Sequence, residues 1–463
     1  MEARSWPYFD PDYETNGMRI SPPRVVVDNE AYDDATLVKV DSGNRHGILL
    51  EVVQLLTDLD LTVTKAYISS DGRWFMIVFH VTDRKGGKIH DDETINHITQ
   101  TLGTKKRKEL SALDLQKCPG RSVGVESIAE HTAIELTGTD RPGLLSEVSA
   151  VLTNMQCNVN AAEVWTHNSR VACVVYITDG ESGGPVTDEK KLNSMKELLS
   201  NVMGSDGERR GAKTDFAPGI THTERRLHQM MFADRDYEGG DQTPQFSSLD
   251  DKSKPIISVQ KTNERGYVLV NIQCRDQPKL LFDTVCALTD MQFVVFHATI
   301  SCSAFDAVQE YYIRHVDGCP LDADGELRIK KCLEAAIERR SSEGLRLELC
   351  TSDRVGLLSD VTRIFRENGL SVTRADVSTQ GDKAVNVFYV TDASGNAVDM
   401  KIVEAIRHEI GQTVLEVKEA PSFFRSPPRE PEGRTKLLTG LLKSSERFFY
   451  GLTSLGWRST PIA

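Results

Sequence analysis

Asp140-Arg141-Pro142-Gly143-Leu144-Leu145 is the stretch on which the fold turns, because the chain returns to its theme three more times. It reads Asn44-Arg45-His46-Gly47-Ile48-Leu49, then Asp276-Gln277-Pro278-Lys279-Leu280-Leu281, then Asp353-Arg354-Val355-Gly356-Leu357-Leu358. At one fixed offset after the fourth residue of each hexapeptide stand Leu56, Leu152, Leu288 and Phe365. An offset kept through every copy marks one supersecondary unit used four times, so the repeat is read before any single residue.

Copy two shows the unit most plainly. Residues 132–137 alternate apolar and polar and predict a strand. Leu144, Leu145, Val148, Val151 and Leu152 then recur at helical spacing and predict one buried stripe. A polar break at 154–158 leads to strands at 159–164 and 171–177 and a second helix near 190–202. This order, with a final strand added, is the split βαβ pattern. The class is therefore α+β: four tandem ferredoxin-like βαββαβ domains joined by flexible linkers. Third strands fall at 74–81 in copy one and 384–390 in copy four, and only copy four has an obvious final strand, at 413–417. The source of the last strand in copy three is left open. Copies three and four, separated only by 341–344, are expected to form the rigid pair.

The resulting division is an N-terminal polar segment 1–35, domain one 36–103, a basic linker 104–130, domain two 131–203 and a polar linker 204–265. Domain three (266–340, degenerate), domain four (344–420) and a tail (421–463) follow. The long linker carries a short helical pattern at 223–232, with Thr223 as its cap and Leu227, Met230 and Met231 on one side. In the tail, Leu437, Leu438, Leu441, Leu442, Phe448, Phe449 and Leu452 share a helix face flanked by basic residues. Packing on a domain face is the first reading for it; membrane association is the less favoured one.

Bulk composition sets the outer limits. With 39% hydrophobic and 27% charged residues, the 463-residue chain has enough apolar material for real cores. A net charge of −13 argues against a general nucleic-acid or anionic-membrane surface. The 9 cysteines include no Cys-x-x-Cys, the pattern of a reducing compartment. Acidic residues and no apolar core in the first stretch speak against a secretory or organellar leader. A cytoplasmic protein is expected, with Lys105-Lys106-Arg107-Lys108 keeping a nuclear address open.

The Asp-Arg-Pro-Gly-Leu-Leu signature opening such a unit resembles the ACT domain, a small-molecule-sensing module of amino-acid metabolism. Four copies filling most of a chain of this size are similar to the ACT-domain-repeat proteins of plants, whose modules resemble those of bacterial uridylyltransferases. The resemblance spans about 36–419 and is weakest in copy three. It implies a regulatory or sensor protein that binds a free amino acid and reports amino-acid or nitrogen status to an enzyme or signalling partner. It also implies binding at the seam between two domains.

The residues themselves supply a physical account of such a site. Asp140 is expected to cap a helix starting near Pro142. Gly143, followed by Leu144, leaves room where free backbone amides converge, a place that favours a carboxylate. Arg141 would add a charge-assisted bond. Asp353, Arg354, Gly356 and Leu357 repeat the set in copy four; Asn44, Arg45 and Gly47 repeat it in copy one. Asn158 is the polar candidate for the ligand's other end, its counterparts being Thr62, Val294 and Ser371. Asp-x-Pro-Gly is equally an ordinary turn before a helix. In copy three, Lys279 stands where the others have glycine and should crowd the loop, which makes that copy structural.

No catalytic constellation, metal-ligand spacing or cofactor motif is recognisable, so no enzyme, metal or cofactor is expected. Gly204-Ser205 and the lone pair His90-Asp91 do not amount to remnants of a uridylyltransferase. The competing reading is a single-stranded RNA binder, since RNA-recognition modules share the strand order and Trp74, Phe75 and Phe79 lie on one strand. Those aromatics are first read as core and interface residues, and no nucleic acid is expected. Homo-oligomerisation is left open.

Overall fold

A computed structural model describes residues 23–44, 47–70, 74–103, 131–204, 213–217, 222–238, 254–262, 266–303, 305–340, 344–411 and 414–418. Arg45, the basic run 105–108 and the tail helix lie outside the described residues.

The first quarter of the chain runs β1 (Arg24–Asp28), β2 (Thr36–Gly43), α1 (Ile48–Asp58), β3 (Thr62–Ser70), β4 (Trp74–Thr82) and α2 (Asp92–Gly103). Copy two follows as β5 (Thr132–Thr139), α3 (Leu144–Asn154), β6 (Cys157–His167), β7 (Arg170–Asp179), α4 (Glu189–Met203) and β8 (Lys213–Ala217). Helix α5 (Thr223–Ala233) and a short 3-10 turn, Asp236–Glu238, lead to copy three. That copy comprises β9 (Ile256–Lys261), β10 (Val268–Arg275), α6 (Leu280–Asp290), β11 (Phe293–Cys302), β12 (Asp306–His315) and α7 (Ala323–Glu338). Copy four is β13 (Leu345–Ser352), α8 (Leu357–Glu367), β14 (Leu370–Gln380), β15 (Lys383–Asp392), α9 (Met400–Ile410) and β16 (Leu415–Lys418).

These elements form two sheets of 8 strands, ordered β1-β2-β4-β3-β11-β12-β10-β9 and β16-β13-β15-β14-β6-β7-β5-β8. Copy one therefore pairs with copy three, and copy two with copy four. The expected pairing of three with four is overturned. Pairing uses each copy's second strand: Lys65–Ser69 runs antiparallel to 297–301, and Ala161–Trp165 to 374–378. A bulge precedes each joined stretch, between Val63 and Lys65, Val159 and Ala161, Val295 and His297, and Val372 and Arg374. Bulges bend and re-aim a strand, and here each one sets its strand on course for the neighbouring copy.

The strand missing from copy three comes from in front of it. β9 pairs with β10, just as β1, inside the supposed N-terminal polar segment, pairs with β2. In copies two and four the edge strand follows instead, as β8 beside β5 and β16 beside β13. Domains one and three thus begin earlier than 36 and 266, domain two extends past 203, and the linker 204–265 loses β8 and β9 to its neighbours. With its edge already filled, copy three passes from α7 almost directly into β13.

Burial follows the repeat. Leu56, Leu152, Leu288 and Phe365 are all essentially inaccessible, and Phe365 meets Phe388 edge to face at 5.2 Å. Phe75 and Phe79 point into the first core, while Trp74 lies on the outer face and is 39% exposed. Helix α5 lays Leu227, Met230 and Met231 on Trp165, Ala172 and Val174, the outer face of the second sheet. Its cap is His222, whose Nδ1 accepts from the Arg225 amide, rather than Thr223.

Candidate functional site

Each unit's first helix starts at the residue after the glycine position, which in copy two is two residues later than the start near Pro142 that the sequence suggests. The residue before it is Gly47 (φ 83°), Gly143 (φ 83°), Lys279 (φ 64°) or Gly356 (φ 84°), always left-handed and never with a side-chain cap bond. Asp140 is therefore no cap and Pro142 precedes the helix. A left-handed residue costs L side chains energy that glycine avoids, which explains the glycines, and Lys279 adopts the conformation nonetheless.

The residue opening each loop is tied to its own copy. Asn44 Nδ2 donates to Ser70 Oγ at 2.8 Å, and Thr379 Oγ1 donates to Asp353 Oδ2 at 3.0 Å, both across 26 positions. The same spacing pairs Asp140 with Thr166, but Thr166 Oγ1 donates across the seam to the Thr373 carbonyl at 2.8 Å. Burial then pushes the Asp140 carboxyl up to about 6, against the bond from the Arg141 amide. Arg141 folds back on Glu147 and donates to the Val202 carbonyl; Arg354 likewise pairs with Asp360.

Helices α3 and α8 pack side by side across the seam. A Cβ at Gly143 would come 2.7 Å from Arg366 Cδ, in the last turn of α8, and one at Gly356 would come 3.2 Å from Thr153 Cγ2, in the last turn of α3. Each helix start thus abuts the end of the other helix, and two clefts result. The cleft at the copy-two loop, a narrow one with a cavity volume of about 30 Å³, is lined by Asp140, Arg141, Gly143 and Leu144 and closed by Thr362, Phe365, Leu370 and Val372 of copy four. The cleft at the copy-four loop, with a cavity volume of about 20 Å³, is lined by Asp353, Arg354, Gly356 and Leu357 and closed by Ser149, Thr153, Asn158 and Val159 of copy two. Asn158 therefore serves the opposite loop from the one with which it was grouped. Both clefts lie at helix starts whose first amides, Leu144 and Leu357, already donate to the Arg141 and Arg354 carbonyls, and whose next first-turn amides have no partner within the helix, a place where a carboxylate is favoured.

The sequence did not single out Arg366, Thr153, Cys173, Thr379 or Asn386. Regular offsets between copies carried a signal for Thr379, but which copy faces which had to be known for the others.

Copies one and three meet the same way, α1 against α6, yet their helices are buried differently. Every residue of α6 from Leu280 to Leu288 is buried, because α5 lies over it. Arg225 pairs with Asp290, His228 Nε2 with Asp283 at 2.9 Å, and the His222 ring lies tilted against Phe282, their centroids 5.1 Å apart. Lys279 Nζ donates to Glu224 at 2.6 Å, and Arg340 holds both Glu224 and Asp283. Burial disfavours the Glu224 charge, but Arg340 and Lys279 outweigh it and keep the carboxyl well below its usual range. Arg339 forks onto Asp236 at 2.7 and 2.6 Å, while Arg340 and Arg374 stack on Trp165. The loop of copy three is thus committed to joining the two sheets.

Comparison with known proteins agrees with the repeated unit. Residues 31–109 match the ACR family N-terminal ACT domain, and residues 132–198 and 345–408 match the ACT domain. The chain is 57% identical to the ACT domain-containing protein ACR3 of Arabidopsis thaliana, over 96% of this chain and 97% of that one. It is 52% identical to ACR4 of the same plant, over 95% and 96%. Among solved structures, aspartate kinase from Synechocystis aligns over 64% of this chain and 44% of its own at 13% identity, with a TM-score of 0.17 that carries no argument. On the identity to the Arabidopsis proteins, the chain belongs to the ACR family of ACT domain-containing proteins.

Proposed function

We propose that the protein binds free amino acids in the two clefts between copies two and four, and that it regulates rather than catalyses. The observation that carries this reading is reciprocity: each cleft joins the helix start of one copy to the helix end and second strand of the other. A ligand carboxylate at the N-terminus of α3 or α8 therefore touches both copies. Because the clefts are narrow, entry separates α3 from α8, and a ligand that favours the separated arrangement shifts its population for a partner enzyme or signalling protein to read.

The RNA reading loses its support at the aromatic strand, where Phe75 and Phe79 are core residues. Among the described residues no cluster suits a metal ion.

A thermal-shift screen of the intact chain against the common amino acids tests the proposal. Binding adds RT ln(1 + [L]/Kd), about 2.7 kcal/mol at a hundredfold excess over Kd. Gly143→Val with Gly356→Val should remove the response, because each added side chain enters a left-handed position facing the other copy. An undiminished response in the double variant would contradict the placement, and enzyme-like turnover of an amino acid or nucleotide would contradict regulation.

A further inference from the structure

The two clefts are built from corresponding residues, so their differences can be read position by position. Gly356 answers to Gly143, Thr379 to Thr166, Val377 to Val164, and Asn386 to Cys173. Asn386 is the register partner of Val377, and Cys173 that of Val164, so each forms the floor of its cleft on the third strand of its copy.

The floors differ in chemistry. Asn386 is 2% exposed and lines the copy-four cleft, and its buried Oδ1 has no hydrogen-bond partner. Native structures leave few buried amide oxygens unpaired, and those that remain call for an explanation such as an absent ligand. The polar character continues up the walls, where copy two supplies Ser149, Thr153 and Asn158. In the copy-two cleft, Cys173 is a buried thiol whose pKa is pushed up by burial to about 12, so it stays neutral. Thr166 there already donates to Thr373, and Phe365, Leu370, Val372 and Met203 make the walls apolar.

We propose that the copy-four cleft selects an amino acid whose side chain donates a hydrogen bond, an amide or a hydroxyl, to Asn386 Oδ1, while the copy-two cleft selects an aliphatic one. This assignment rests on reading both clefts as amino-acid sites. The α-carboxylate stays at the helix N-terminus, which the clefts share, and the side chain descends to the floor, where they part. An aliphatic ligand over Asn386 would leave the amide oxygen buried and unpaired. Sites built to hydrogen-bond a ligand reject analogues that lack the group far more strongly than apolar pockets reject a misfit methylene.

The test is calorimetric titration of the intact chain with serine, threonine, asparagine and glutamine against valine and leucine. Asn386→Leu should weaken the best polar ligand on the order of tenfold or more and leave the aliphatic ligands unchanged. Asn386→Cys, which copies the sister floor, should do the same with less disturbance of packing; melting curves of both variants show whether the fold is intact. Cys173→Asn should weaken the aliphatic ligand at the other cleft. Equal weakening of all ligands by Asn386→Cys would mean that the amide meets the common ammonium group, and would overturn the side-chain assignment. Unchanged selectivity in a folded variant would overturn it too. If no amino acid binds the wild-type chain, the amino-acid reading itself fails, and the assignment with it.

Discussion

The two pairs of domains share one fold and one mode of pairing, yet they differ at the seam. Between copies two and four, α3 keeps one buried stripe and its start opens on a cleft. Between copies one and three, α6 is buried on all sides and its start is fastened by Lys279 to Glu224 of α5. A helix that is apolar on most of its surface must be covered on both faces, and the run 280–288, apolar but for Asp283 and Thr284, is so covered, with Asp283 paired to His228 and Arg340. On the proposed reading, the difference is that between a binding module and a scaffold built on the same fold. A residue with a Cβ takes the loop position, a helix from the linker covers the seam, and the polar groups left over form a buried ionic joint between the sheets.

The largest effect that would break this comparison is all-or-none. Ser69 and His297 are directly opposed across the seam of the first pair. Opposed Cα atoms in antiparallel strands lie about 4.5–5.5 Å apart, within disulfide range. Ser69→Cys with His297→Cys should therefore oxidise to a cross-link that holds peptides of copies one and three together after proteolysis. Failure to cross-link in a folded protein would contradict the alternate pairing.

Next in size is the joint. Arg339→Met leaves Asp236 buried without its main partner and should destabilise the chain by about 3–5 kcal/mol in denaturant titration. Burial pushes the Asp236 carboxyl up, but Arg339 and His167 overcome it and hold it at about 2. Since that folded value lies below the unfolded one, the contribution is present above about pH 4 and is lost as pH falls toward 2. Arg339→Met should move acid unfolding to higher pH. An unchanged acid transition would mean that the joint adds little.

How much of this could be read beforehand follows from range in sequence. The four units, their strand–helix order and the buried residue after each loop are local and periodic, so they were legible. Partner choice was not, because it depends on which second strands meet across hundreds of positions. The edge strands β1 and β9 lie ahead of the repeat and carry none of its signature. Asp140 misled for a related reason: its type suits a cap, but the left-handed Gly143 starts the helix later and leaves the carboxyl beside a threonine turned toward the other copy. Asn158 was recognised as polar and well placed, yet its cleft belongs to the copy across the seam.

A smaller effect sharpens the contrast within the second pair. The Asp140 carboxyl is raised by burial to about 6, so its charge opposes folding above that pH and not below the unfolded value near 4. Asp140→Asn should therefore melt a few kelvin higher than wild type at pH 8 and about equally at pH 4. Asp353→Asn should gain less, since Thr379 already donates to that carboxylate. Equal gains in the two copies would show that the diverted Thr166 is without consequence.

Locating the ligand is the decisive step, and a crystal structure of the intact chain grown with the amino acid that most raises its melting temperature would do so. Density should lie between Gly356 and Asn158, or between Gly143 and Phe365, with the carboxylate on the first-turn amides that follow Leu357 in α8 or Leu144 in α3. An amino acid found instead at Lys279, or along the covered α1–α6 seam with both clefts empty, would contradict the division into a binding pair and a scaffold pair.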